Sequence, residues 1–391
     1  MPRKTLERFL SRSVTHAGLC HTERERSTRR LEEDIRMLTS MGAKFIGRAS
    51  LAWGPPANDE RHFRAVEKSA AKALEADPDL ILQACVFEIV TEDAARIPVP
   101  AWVFREFGLK PEKRNFHYEG MLYENGHLVD SWSPGASVPD MSRLETRMWF
   151  YYRARRYIDC GHEAIHFGQV MIMDDADPGH RGWLDMLGRV RRYARKNARR
   201  RFVLCDAHTH GEVENGRLLF DFHSFPMRAK EIVTETQKGE DSPERAEFVM
   251  GHIDSPFGRS KGGVAPSGWR CKSLPYLAEV DNFGRSDRAG QPTGTWWLWG
   301  YDEISWFARQ PEAYRNNWLI HAWNWIREND PNGFFQMPAR RGIANPKDDR
   351  RVYRANRRSR ACPRGFGQED TIRAIWAADA KGRKLTPEGA P

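Results

Sequence analysis

AIHFGQVMIM at Ala164–Met173 and FVLCDAH at Phe202–His208 are two short apolar runs of buried-strand type, and what lies between them decides the fold. Trp183, Leu187, Val190 and Ala194 recur there every three or four residues, the spacing of one helix face. A strand, a helix and a strand in that order form a βαβ unit with parallel strands.

The alternation extends in both directions. Upstream, Leu31, Ile35 and Leu38 mark a helix closed by Gly42, and Lys44–Trp53 follows as a strand. Phe63, Val66, Ala70 and Ala73 mark a second helix, stopped at Asp77-Pro78, before the apolar run Leu80–Val90. Leu144, Met148, Tyr151 and Ile158 mark a third. Downstream, Leu218–Ser224, Tyr276–Asn282 and Thr295–Glu303 read as strands. A helix then starts at Pro311 with the stripe Tyr314, Trp318, Ala322 and Trp325. With Val14–His21 as the first strand, the count reaches the eight of a (β/α)8, TIM-barrel-like fold over residues 1–338.

Two departures from regularity are expected. Too few residues separate the strands at Phe202 and Leu218 for a parallel crossover, and they include the turn dipeptide Asn215-Gly216. The second half is therefore irregular, with an antiparallel excursion here. Residues 91–140 form an insertion after the third strand, with a β-hairpin signal at Asn125-Gly126, of the kind that forms a lid.

No run of 18 apolar residues is present in the 391, which argues against a membrane span. The basic start lacks the apolar core of a secretory signal, and six scattered cysteines without a CxxC pair exclude zinc-ribbon and disulfide-scaffold folds. Both point to the cytoplasm. Of the net charge of +9, most falls between Ala339 and Arg364, where ten Arg/Lys face two Asp. Residues 339–391 thus read as a basic, solvated C-terminal tail. A polyanion is its natural partner, although no RRM, KH or zinc-finger pattern supports nucleic acid.

Barrel enzymes carry their chemistry at the C-terminal ends of the strands. There the sequence places Trp53, Glu88, His166, Gln169, Asp206, His208, Asp221, His223, Glu279, Asp281, Asn282, Trp299, Tyr301, Asp302 and Glu303. Carboxylates are costly to bury without partners, so their number at one rim calls for a reason. Paired carboxylates are the minimum equipment for cutting a glycosidic bond, one protonating the leaving oxygen and the other attacking the anomeric carbon or activating water. Asp206 and Glu88 are candidate acids. Trp53, Trp132 and Trp299 offer flat faces with a free N–H donor, suited to sugar rings.

Trp299–Leu319 (WGYDEISWFARQPEAYRNNWL) and Leu204–Pro226 resemble a group of bacterial, barrel-like hypothetical proteins, over about Thr5–Arg340. Glu279, in the penultimate strand, is similar in placement to the nucleophile of TIM-barrel glycoside hydrolases. That resemblance implies a hydrolase acting on carbohydrate without a cofactor, with Glu279 as nucleophile or base. The chain departs from it at the fourth strand, where Phe167-Gly168-Gln169 stands in place of the family's Asn-Glu acid.

Two rival readings remain. Asp206-Ala207-His208-Thr209-His210 looks like the HxH motif of metal-dependent amidohydrolase barrels, in which His208, His210 and His223 would hold a divalent metal such as zinc. A non-catalytic carbohydrate- or polyanion-binding protein is the other.

Overall fold

A computed structural model describes residues 1–20, 28–56, 58–227, 229–232, 247–253, 260–281, 302–344 and 350–387. Eight parallel strands occur in chain order around a nearly closed barrel: β1 (Ser13–His16), β2 (Phe45–Ser50), β3 (Ile81–Cys85), β4 (Ala164–Gln169), β5 (Leu204–His208), β6 (His223–Pro226), β7 (Tyr276–Glu279) and β8 (Gly333–Gly342). β8 pairs with both β7 and β1, so the ladder runs without a break from β6 round to β5. At the remaining seam the Asp221 N–H donates to the Cys205 carbonyl at 2.8 Å.

The interior follows the two-residue strand period. Phe45, Ile81, Ala164, Leu204, Phe222, Leu277 and Phe334 form an apolar floor. Helix α1 (Arg3–Leu10) plugs it from below with Leu6, Phe9 and Leu10. Two residues further along each strand stand Gly47, Gln83, His166, Asp206, Ser224, Glu279 and Gln336. Apart from Gly47, whose place is filled by the Gln336 amide, the second tier is therefore polar, with Thr15 of β1 joining it by donating to Gln336 at 2.9 Å.

Helices wrap the outside. α2 (Thr28–Met41) and α3 (Asp59–Ala76) follow β1 and β2, and Asn58 caps α3 by accepting from the Arg61 N–H at 2.9 Å. After an insertion holding α4 (Ala101–Glu106) come α5 (Leu144–Asp159) and, after β4, α6 (Arg181–Asn197). Their buried faces carry Met148, Tyr151 and Ile158 on α5 and Trp183, Leu187, Val190 and Ala194 on α6, as the spacing indicated, whereas Leu144, also expected on the α5 stripe, is exposed at the first turn. Between β5 and β6 the expected antiparallel excursion is present: Val213–Glu214 pairs with Arg217–Leu218 around Asn215 and Gly216, both at positive φ. α7 (Glu303–Arg309) and α8 (Glu312–Asn329) precede β8, and α9 (Glu369–Asp379) closes the chain. Among the described residues, no helix is long and apolar enough to cross a membrane.

Several expected boundaries differ. The eighth strand is Gly333–Gly342, not Thr295–Glu303. Residues 295–301 lie outside the described residues, while Asp302 accepts from the Ser305 N–H at 2.9 Å and so caps a helix that begins at Glu303. The expected break at residue 339 falls inside β8. Beyond it, Val352–Arg354 pairs with β8, α9 buries Ile372, Ile375 and Trp376, and Glu369 takes a two-pronged ion pair from Arg36 of α2 at 2.7 Å. Arg354 of that segment is structural too, pairing with the buried Asp34 of α2 at 3.2 Å. In the insertion, strand pairing sits at the base, Val90–Thr91 with Ala136–Ser137, and Asn125-Gly126 makes a turn without flanking strands.

Candidate functional site

Above the polar tier the interior is charged, and one arginine organises it. Arg48 lies in β2 at φ +56°, a region costly for a side chain with a Cβ. The pairing of β2 with β3 shifts register there, between Ile46 and Ser50. The irregularity brings the guanidinium to Glu279 of β7, donating from Nη2 to Oε1 at 2.5 Å and from Nε to Oε2 at 3.1 Å. Arg48 also donates to Asp281 at 3.0 Å, and Arg341 of β8 donates to the other oxygen of that carboxylate. The Thr15 hydroxyl shares its one proton between Gln336 and Glu279, 3.2 Å away, and His208 Nε2 lies 3.3 Å from Glu279 Oε1.

The ionisation follows from this arrangement. Burial alone would raise the Glu279 carboxyl, but the Arg48 charge, the hydrogen bonds from His208 and Arg48, and the Arg341 charge outweigh it and hold Glu279 well below the usual carboxylate range. Arg48 is raised: burial opposes its charge, and Glu279 more than offsets that. Arg341 moves down to about 9, through burial first and then the like charge of Arg48.

A second network lies across the barrel. Asp206 is fully buried and accepts from Gln83 at 2.7 Å and Ser224 at 2.6 Å, with His166 Nδ1 at 2.8 Å. Burial holds His166 below the ordinary imidazole value, against the pull of Asp206. Its ring meets that of His208 edge to face, centroids 4.7 Å apart, so the two networks touch through the histidines.

The rim above is aromatic. Trp53, 46% exposed, stacks edge-on to Trp132 at 4.7 Å and leans on Phe87 at 5.4 Å. Phe87 in turn lies under the Arg48 guanidinium. Trp132 donates to the Glu88 carbonyl at 3.1 Å, which ties the insertion to the end of β3. The Glu88 carboxylate turns sideways to β4, accepting from the Gln169 N–H at 3.0 Å and its side-chain amide at 2.9 Å.

The expected site residues therefore divide. Glu279, Asp281, His208, Asp206, Glu88, Gln169 and Trp53 gather in or on the barrel mouth. Asp221 does not. It precedes β6, accepts from the Cys205 N–H at 3.0 Å and pairs with Arg191 of α6 at 3.0 Å, which makes it a seam residue. His223, the first residue of β6, points away from Ser224, with Nδ1 2.7 Å from Ser260 Oγ. Burial drives it down to about 3. Asp302 and Glu303 begin a helix rather than ending a strand. Asn282, Trp299 and Tyr301 lie outside the described residues.

His208, His210 and His223 do not form a metal-ligand group among the described residues. His210 packs on Phe225, and two other groups bring their donor atoms within 4.8 Å of one another: His208–Glu279–Asp281 and Asp174–His180–Glu212. In the first, Arg48 and Arg341 already neutralise both carboxylates and would repel a cation.

Arg48 and Arg341 escaped the sequence reading. An arginine within the otherwise apolar stretch FIGRAS was the available sign of the first. The second lay hidden in a segment read as tail.

No family model matches the chain, and no curated protein matches it. Among solved structures, it is similar to a GH113 beta-1,4-mannanase at 10% identity, over 94% of this chain and 98% of that one, with a TM-score of 0.42. It is also similar to a debranching enzyme of Nostoc punctiforme at 9% identity, over 56% and 52%, TM-score 0.34. An alpha-galactosidase of Thermus thermophilus is a third, at 14%, over 50% and 37%, TM-score 0.30.

Proposed function

We propose that this chain is a glycoside hydrolase-type enzyme, binding a carbohydrate at the C-terminal rim and cutting a glycosidic bond with Glu279 as the attacking carboxylate. The observation that carries the reading is the state of Glu279. It is a buried carboxylate at the end of β7, kept ionised by Arg48, His208 and Arg341 and fixed in direction by donors from three other strands. A preoriented anion is what an oxocarbenium-like transition state calls for.

Trp53, beside Trp132, supplies a face for a sugar ring. Asp206 is fully engaged by Gln83, Ser224 and His166, and its role is to hold His166. Two groups at the mouth can serve as proton donor, Glu88 and His208. The chemistry needs no cofactor.

Glu279→Gln keeps the shape and removes the charge. Turnover on a panel of oligosaccharides and aryl glycosides should then fall by at least about a hundredfold. Equal turnover by a folded variant would remove Glu279 from the chemistry.

Binding without cleavage is a second reading. It is favoured by the Glu88 carboxylate, both of whose oxygens already accept from Gln169. It predicts saccharide affinity in the wild type with no product on any member of the panel.

A further inference from the structure

We infer that His208, rather than a second carboxylate, is the proton donor to the leaving group; the inference rests on the glycosidase reading above. Where a barrel glycosidase would carry its acid, at the end of the fourth strand, β4 has Phe167-Gly168-Gln169, and the nearby Glu88 carboxylate is bound to Gln169. Glu88 gives one oxygen to the Gln169 N–H at 3.0 Å and the other to the Gln169 amide at 2.9 Å. Asp206 is committed to Gln83, His166 and Ser224 beneath. His208 differs from both. It ends β5, its side chain is 12% exposed where Glu279 is 2%, and its Nε2 is 3.3 Å from Glu279 Oε1.

The geometry suits a double displacement. With Nε2 on Glu279, Nδ1 is the ring's other nitrogen, on the order of 5 Å from the carboxylate, which is the separation of a retaining pair. In its protonated form His208 gives the Nδ1 proton to the leaving oxygen as the C1–O bond breaks and a Glu279 oxygen bonds to C1. Neutral His208 then takes a proton from the water that attacks C1. The ester bond breaks, and the Glu279 carboxylate and protonated His208 are restored. The His166 ring, packed edge to face against His208 and anchored by Asp206, holds the imidazole in place.

Leaving-group dependence tests the assignment, because a substrate whose leaving group needs no proton bypasses the acid. His208→Ala and Glu88→Gln would be compared with wild type on a 2,4-dinitrophenyl glycoside and on the corresponding unactivated disaccharide, each variant checked for folding by circular dichroism. We expect His208→Ala to lose about 10²–10⁴-fold in kcat/KM on the disaccharide and less than about tenfold in kcat/KM on the activated substrate. Its kcat on the activated substrate should fall as well, because the second step loses its base, and azide should restore that kcat and yield a glycosyl azide. Glu88→Gln should slow both substrates by a similar factor. Equal losses on both substrates for His208→Ala would overturn the inference, as would the selective pattern in Glu88→Gln; either leaves the glycosidase reading intact. If the wild type turns over no glycoside at all, that reading falls and takes this inference with it.

Discussion

Glu88 occupies the space that a side chain at residue 168 would need: a Cβ built on Gly168 would lie 1.7 Å from Glu88 Oε2. Gly168 also has φ +65°, where other residues are strained. Gly168→Ala should therefore destabilise the protein by about 2 kcal/mol or more and push Glu88 off Gln169. Urea titration would measure the loss. Glu88→Ala in the same chain should recover part of it, the steric part, while the backbone part persists. Full additivity of the two substitutions would contradict the contact.

Removing Arg48 takes a shared cation from two buried carboxylates. Arg48→Met keeps bulk near the Phe87 ring but removes the guanidinium that Glu279 and Asp281 both accept from. A loss of about 3–5 kcal/mol is expected in denaturant titration at pH 7. Adding Glu279→Gln should return some of it, since the uncompensated charge then disappears. A variant as stable as wild type would mean that water reaches the cluster freely.

Acid should weaken the fold through buried histidines. His162, buried between Ser50 and Tyr157, is held down to about 4 by burial, and His223 down to about 3. Both are neutral when folded, whereas the unfolded chain binds a proton near the ordinary value of 6.5. Their contribution is complete above 6.5 and is lost as pH falls from there toward 4, about 3 kcal/mol for His162 across that span. Glu279 acts in the same direction at still lower pH, because its depressed carboxyl gives up its contribution when protonated. Melting temperature should drop steeply between pH 6.5 and 4. His162→Asn should flatten that slope, and an unchanged slope would assign the effect elsewhere.

Trp53 is predicted to serve ligand rather than fold. Half-exposed, it should change stability by less than about 1 kcal/mol as Trp53→Ala. Saccharide affinity, read by calorimetry, should fall about tenfold, near 1.4 kcal/mol. The reverse pattern would make it a packing residue of the Trp132–Phe87 cluster.

Much of the barrel was legible because its strands obey simple periods. β2 to β5 and β7 stand within the apolar runs, and Asn215-Gly216 gave the hairpin between β5 and β6 from turn chemistry alone. β8 was not legible, since GFFQMPARRG carries Pro338 and two arginines inside a strand flanked on both sides, a composition that normally argues against one. Glu279 and Asp206 could be proposed from strand ends. Arg48 could not be aimed, because its reach depends on a positive φ that nothing local announces. Asp221 failed for a related reason: β6 starts at His223, five residues after the apolar run begins at Leu218, which leaves Asp221 ahead of the strand at the seam.

The plug formed by α1 makes the barrel a blind well. Among the described residues, Leu6, Phe9 and Leu10 close the N-terminal end against a floor of seven apolar side chains. Protons exchanged by Asp206, His166 or Glu279 are then expected at the opposite end, where a molecule seated over Trp53 would stand in their path.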